Sequence, residues 1–193
     1  MEAIRAAAKW ELVPEEDYLR GERLREQKHE YVGGRVHAIA GTTNRHSDIA
    51  GNVFGSLHAR LRGTPCKPCN SDTKVRIRLL SGTRYYYPDA MVVCRPNPDS
   101  DSFQDQPTVI IEVLSDATRR TDEEEKKDAY LTIPSLGLYV MVEQDVALAV
   151  VFRRTTTGFE RSVIAGLDSV IPMPEIGIAL PLAEIYEGIH LEG

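Results

Sequence analysis

Residues 85–94 read YYYPDAMVVC and residues 108–114 read TVIIEVL. Each is a β-prone run with a single charge: Asp89 at the mouth of the first, Glu112 inside the second. Strands are poor in Asp and Glu. A carboxylate among apolar neighbours loses hydration that a cation or hydrogen-bond donors must replace. Pro88 keeps the entry to the first strand extended. Side chains alternate along the second, so Glu112 and Leu114 share one face while Ile111 and Val113 share the other. Two carboxylates held close on successive strands repel each other, and a divalent cation removes that conflict. Mg²⁺ takes one or two carboxylates together with waters and phosphate oxygens; Mn²⁺ accepts the same hard donors. The Val113 carbonyl adds an oxygen beside them. The competing account, an ion pair between Glu112 and an arginine on a neighbouring strand, explains one embedded acid better than two.

Around these runs the chain alternates helical and extended patterns. The segment VPEEDYLRGERLREQKHEY (13–31) has Pro14 and three acids where a first helical turn favours them, which predicts a helical first thirty residues softened at Gly21. EYVGGRVHAIAG (30–41) reads as a hairpin about Gly33-Gly34. In residues 42–63, Ile49, Ala50, Val53, Phe54, Leu57 and Leu61 recur at helical spacing, with Gly63 as the stop. TKVRIRLL (73–80) alternates Val75, Ile77 and Leu79 against Lys74, Arg76 and Arg78, predicting one buried and one basic face. RPNPDSDSFQDQP (95–107) reads as a loop. Residues 115–133 form a loop and short helix, 136–145 and 147–155 two strands, 158–166 another, and 180–188 a closing helix. The order predicts an α/β or α+β fold with a mixed sheet flanked by helices. We expect one domain: a helical segment over 1–30, a core over 31–155, and a strand-and-helix extension over 156–193.

The 193 residues, 42% hydrophobic and 27% charged, suit one globular unit. No apolar run approaches the ~20 residues of a membrane span, and the early acids argue against a signal peptide; the expectation is a cytoplasmic protein without a membrane partner. Three cysteines, Cys66, Cys69 and Cys94, argue against a disulfide framework and read as small buried thiols. The net charge of −6 hides a segregation. Residues 31–96 hold ten Lys and Arg against three Asp, whereas residues 97–193 hold eighteen acids against seven bases. Such asymmetry suits a side that faces a polyanion. There is no G-x-S-x-G elbow and no G-x-x-x-x-G-K-[ST] loop, which argues against an α/β-hydrolase and a P-loop NTPase.

Pro88-Asp89 followed by Glu112-Val113-Leu114 resembles the PD-(D/E)xK nuclease superfamily. The longer series HEYVGGRVHAIAG (29–41), NRHSDIAGNVFGSL (44–57), SDTKVRI (71–77), YYYPDAMVVC and IIEVLSDATRRTDEEEKKDAYLTIPSLGLYVMV (110–142) is similar to the Uma-type family of restriction endonucleases, over roughly residues 10–155. The resemblance implies a restriction-endonuclease-like core and a Mg²⁺-dependent endonuclease acting on DNA, with Asp89 and Glu112 holding the metal. The superfamily lysine belongs two residues after the glutamate, where this chain has Leu114. The resemblance implies that Lys126 replaces it from the following helix, where Tyr130 lies one turn on and on the same face. It also implies acids of the site at Glu30 and Asp72. Lys74, Arg76, Arg78, Arg119 and Arg120 are candidates for backbone phosphates, and His46 for a phosphate contact or a helix cap. Cutting two strands favours a dimer, for which the apolar strands near 138–152 are candidate contacts. The alternative is a nuclease fold that has lost catalysis and serves as a binding or scaffold protein, favoured by Leu114 and the net negative charge.

Overall fold

The computed structural model describes residues 12–39, 41–115 and 121–191. Helix α1 spans Glu15–Glu22 and stops a turn after the acids that favour its start. The expected helix does not continue to residue 30. The β-prone run His29–Val32 forms β1 instead and pairs with β2, Arg35–Ala38, across Gly33 and Gly34. Both glycines have positive φ, 55° and 96°, as a two-residue hairpin of this hand requires. Tyr18 ties α1 to β1, stacking on Tyr31 at 4.9 Å and donating to the His29 carbonyl at 2.7 Å.

Helix α2, Asn44–Arg60, begins as its periodicity predicts, with the Thr43 hydroxyl accepting from the His46 N–H at 3.2 Å. There follow β3 (Lys67–Asn70), β4 (Lys74–Leu79), β5 (Gly82–Tyr86), β6 (Ala90–Val93), β7 (Phe103–Gln104) and β8 (Pro107–Val113). A π-helical turn, Thr121–Lys126, leads into α3, Lys127–Leu131. The chain finishes with β9 (Leu138–Val142), β10 (Leu148–Thr155), β11 (Gly158–Ala165), β12 (Val170–Met173), a 3₁₀ turn at Pro174–Ile176, β13 (Ile178–Pro181) and the single turn α4, Leu182–Ile185.

Among the described residues the strands form a six-stranded sheet, β11-β10-β9-β8-β6-β3, a five-stranded sheet, β2-β1-β5-β4-β7, and the β12-β13 pair. The sheets are mixed, as expected: β8 runs parallel to β9, with α3 in the crossover, and β4 runs parallel to β7. The alternation read from TVIIEVL holds. Ile111 and Val113 pack with Ile49, Val53 and Leu57 of α2, and Ile110 and Leu114 pack on the opposite face with Val75, Ile77, Tyr86 and Tyr130. The central sheet is thus sandwiched between α2 on one side and the second sheet with α3 on the other. Ile171, Met173, Leu180, Leu182 and Ile185 complete the α2 side of the core.

Two expectations are corrected. Cys66 and Cys94 are joined by a disulfide at the β3–β6 boundary, because the antiparallel register that pairs Lys67 with Val93 carries the next residues opposite each other; Cys69 remains a thiol. The strands near 138–152 are interior, β9 lying between β8 and β10 and β10 between β9 and β11, so they cannot pair across a subunit boundary. Among the described residues no helix is long and apolar enough to cross a membrane.

Candidate active site

Asp89 sits in the turn before β6, and Glu112 one residue from the end of β8. Ala90 pairs with Ile111 in these neighbouring strands, which brings the two acids side by side. The Asp89 N–H donates to Glu112 Oε2 at 3.2 Å, and the Val113 N–H donates to Asp89 Oδ2 at 2.8 Å. Glu112 is only 3% exposed. Its Oε1 accepts from the Tyr130 hydroxyl at 2.8 Å, and the Lys126 ammonium lies 3.9 Å from the same oxygen. Burial pushes the Tyr130 phenol far above its ordinary range, and the charge of Glu112 adds to the effect, so the hydroxyl remains a donor.

Lys126 closes the π-helical turn and is 8% exposed. It points inward, over the Tyr86 ring at 5.6 Å, and its ammonium lies 2.9 Å from Glu30 Oε1. Lys126 and Tyr130 reach Glu112 together because they stand one turn apart. Glu30 arrives by a different route from the expected one. As the end of a helix it would be a surface acid, but as the second residue of β1 it pairs with His37 and turns its carboxylate to Lys126.

His46, in the first turn of α2, places Nε2 2.9 Å from Asp89 Oδ1. The sequence suggested a phosphate contact or a cap. The cap is made by Thr43 upon the His46 N–H, and the imidazole is turned to Asp89. A residue 43 positions before its partner gave no local spacing from which to read this contact.

The other candidates lie apart from this network. Asp72 is in the β3–β4 turn, paired with Lys28 at 2.5 Å and bonded to Asn70; the Lys28 contact holds its carboxyl below the ordinary range. The basic stripe of β4 is largely withdrawn from solvent. Lys74 is 5% exposed and donates to the Tyr87 hydroxyl at 3.1 Å, and burial lowers its pKa. Arg76 grips both oxygens of Asp105 at 2.7 and 2.8 Å and covers Phe103. Arg78 faces solvent. Arg119 and Arg120 lie outside the described residues.

Two carboxylates, Glu30 and Glu112, thus flank the Lys126 ammonium, and Asp89 stands beside Glu112 on the far side, a concentration of negative charge that a cation can balance. Among the described residues no three His, Cys, Asp or Glu side chains form a ready ligand cage. The donor set is sparser: the two carboxylates of Asp89 and Glu112, and the Val113 carbonyl, which leaves the strand on the same side as the N–H bonded to Asp89. Such a set suits Mg²⁺ or Mn²⁺, which keep most of their waters, and does not suit a fully protein-ligated metal.

Known proteins resemble this chain in sequence and in fold. The profile of the Uma2 family, described as "Putative restriction endonuclease", matches residues 15–183. A protein of Synechocystis named "Uncharacterized protein slr1290" is 28% identical over 175 residues, covering 90% of this chain and 91% of the relative. A second from the same organism, "Uncharacterized protein sll1609", is 29% identical over 131 residues, covering 66% and 73%. The crystal structure titled a "putative nuclease belonging to DUF820", from Anabaena variabilis, superposes with a TM-score of 0.67 at 16% identity over 83% of this chain and 90% of that one. At that identity it speaks for the fold alone, a mixed α+β core with sheets flanked by helices. With its profile matching residues 15–183, most of the sequence, the chain belongs to the Uma2 restriction-endonuclease-like family.

Proposed function

We propose that the chain is a divalent-metal-dependent endonuclease that hydrolyses phosphodiester bonds of DNA. The observation that carries this reading is the inward turn of Lys126 to Glu112, which brings a cation into the carboxylate pair although Leu114 occupies the superfamily lysine position. Asp89, Glu112 and the Val113 carbonyl would hold Mg²⁺, or Mn²⁺ in its place. When bound, such an ion lowers the pKa of water and draws charge from a phosphoryl oxygen. Lys126 orients the attacking water or stabilises charge developing on the phosphate. Glu30 holds the ammonium from the far side, and Tyr130 fixes the rotation of Glu112. Arg78, Arg119 and Arg120 are the remaining candidates for phosphate contacts; these position a duplex without reading its bases. A cytoplasmic setting and pairing of two copies belong to the same proposal. The surface for pairing is then an outer edge of the six-stranded sheet, such as β11, beside which no strand lies among the described residues, and not residues 138–152.

The test is conversion of supercoiled plasmid by the purified chain with Mg²⁺ or Mn²⁺, beside Asp89→Ala, Glu112→Ala and Lys126→Ala. The wild type should nick the plasmid and chelation should stop it. Several kcal/mol of lost charge stabilisation corresponds to a rate loss on the order of 10³-fold for each variant. Equal nicking by all four proteins would refute the assignment. Plasmid retention without cutting by any of them would favour the binding-scaffold alternative.

A further inference from the structure

Asp89 is gripped at both oxygens by donors from different elements: the Val113 N–H of β8 at Oδ2, 2.8 Å, and the His46 imidazole of α2 at Oδ1, 2.9 Å. The carboxylate only accepts, so Nε2 of His46 carries a proton. Nδ1 is buried and has no hydrogen-bond partner. A buried polar atom left this way destabilises the fold, so more than the Nε2 contact to Asp89 keeps the ring in place. It is held by α2, whose Ile49, Val53 and Leu57 are fully buried against the central sheet. The helix start is fastened by the ion pair of Arg45 with Asp145 and by the Thr43 hydroxyl on Gln144.

We propose that His46 is a positioning residue for Asp89. Its Nε2–H sets the rotation of the carboxylate, so that the lone pairs used by neither His46 nor Val113 converge with Glu112. The consequence for metal affinity rests on the reading of the site given above; the orientation of Asp89 does not. Partners of this kind, one step removed from the metal, commonly change affinity by about 10–100-fold when removed.

The experiment uses the full chain and two readouts. The first is Mn²⁺ calorimetry on wild type, His46→Leu, His46→Phe and His46→Gln. Leu and Phe fill the space without a donor, whereas the Gln amide offers an N–H close to the place of Nε2. The second readout is hydrogen exchange at the Val113 amide in metal-free protein. Leu and Phe should weaken Mn²⁺ binding by about 10–100-fold and speed exchange at Val113 while leaving Ile111 unchanged; Gln should restore most of both. Wild-type Val113 protection in both Leu and Phe variants, or a Gln variant as impaired as they are, would overturn the proposal. A wild type that binds no Mn²⁺ would refute the metal reading alone, and the Val113 amide would then decide the role of His46. If one of the Leu and Phe variants fails to fold, the other supplies the comparison with Gln.

Discussion

Replacing Lys126 with methionine removes a charge and little volume, and its cost can be worked from two distances. The ammonium lies 2.9 Å from Glu30 Oε1 and 3.9 Å from Glu112 Oε1. At an effective dielectric constant near 20 these attractions amount to about 6 and about 4 kcal/mol. Much of that offsets the desolvation of a lysine that is 8% exposed and of a glutamate that is 3% exposed. Removing one partner abandons the attraction and leaves the other charges buried, which costs about 3–5 kcal/mol in comparable pairs. Urea unfolding at neutral pH without divalent ions measures it through the transition midpoint. In the Glu30→Gln background the same replacement should cost about 1–3 kcal/mol less, because one of the stranded carboxylates is gone. A loss below about 1 kcal/mol, as for an exposed ion pair, would refute the buried placement of Lys126.

Tyr130→Phe should keep the fold, lose the hydrogen bond to Glu112 at a cost of about 1.5–3 kcal/mol, and reduce plasmid nicking more than it reduces binding. Reduction of the Cys66–Cys94 disulfide, which closes a separation of 28 residues, should lower unfolding free energy by about 3.5 kcal/mol on the chain-entropy relation; an unchanged urea midpoint in dithiothreitol would contradict the pairing. Acid should destabilise the fold. The Arg60 hydrogen bonds hold Glu184 low, the Lys28 contact holds Asp72 low, and Arg76 with Asn97 outweighs the burial that pushes Asp105 up. Folded pKa values below the unfolded ones mean that the unfolded chain binds more protons, so their stabilisation is present above about pH 4 and is lost as pH falls through the depressed values. Asp105→Asn should flatten the acid limb of stability against pH.

The central strands and the carboxylate pair were legible because their signals are local: one acid in each apolar run, and strict alternation about Glu112. Helix α2 was legible from its apolar spacing. The first helix was overextended because its acids and Pro14 mark a start well, while nothing but the β-propensity of His29–Val32 marks the end. That error put Glu30 at a helix end, and its pairing in β1 is what delivers it to Lys126. The basic face of β4 was misread for a related reason. Alternation shows that Lys74, Arg76 and Arg78 share a side, but not that Tyr87 and Asp105 cover that side. The His46–Asp89 contact and the Cys66–Cys94 pairing join residues far apart in the chain, and only the assembled sheet and helix bring them together. Lys126 was found through the family resemblance, since a lysine in an acidic helix reads by itself as a solvated one.

The most direct measurement is anomalous diffraction at the manganese edge from crystals of the chain grown with Mn²⁺ and a short DNA duplex. The account predicts an ion coordinated by the Asp89 and Glu112 carboxylates and the Val113 carbonyl, with Lys126 and a phosphate of the duplex beside it, and no ion there in Glu112→Gln. An ion bound elsewhere, or the same peak undiminished in Glu112→Gln, would contradict it.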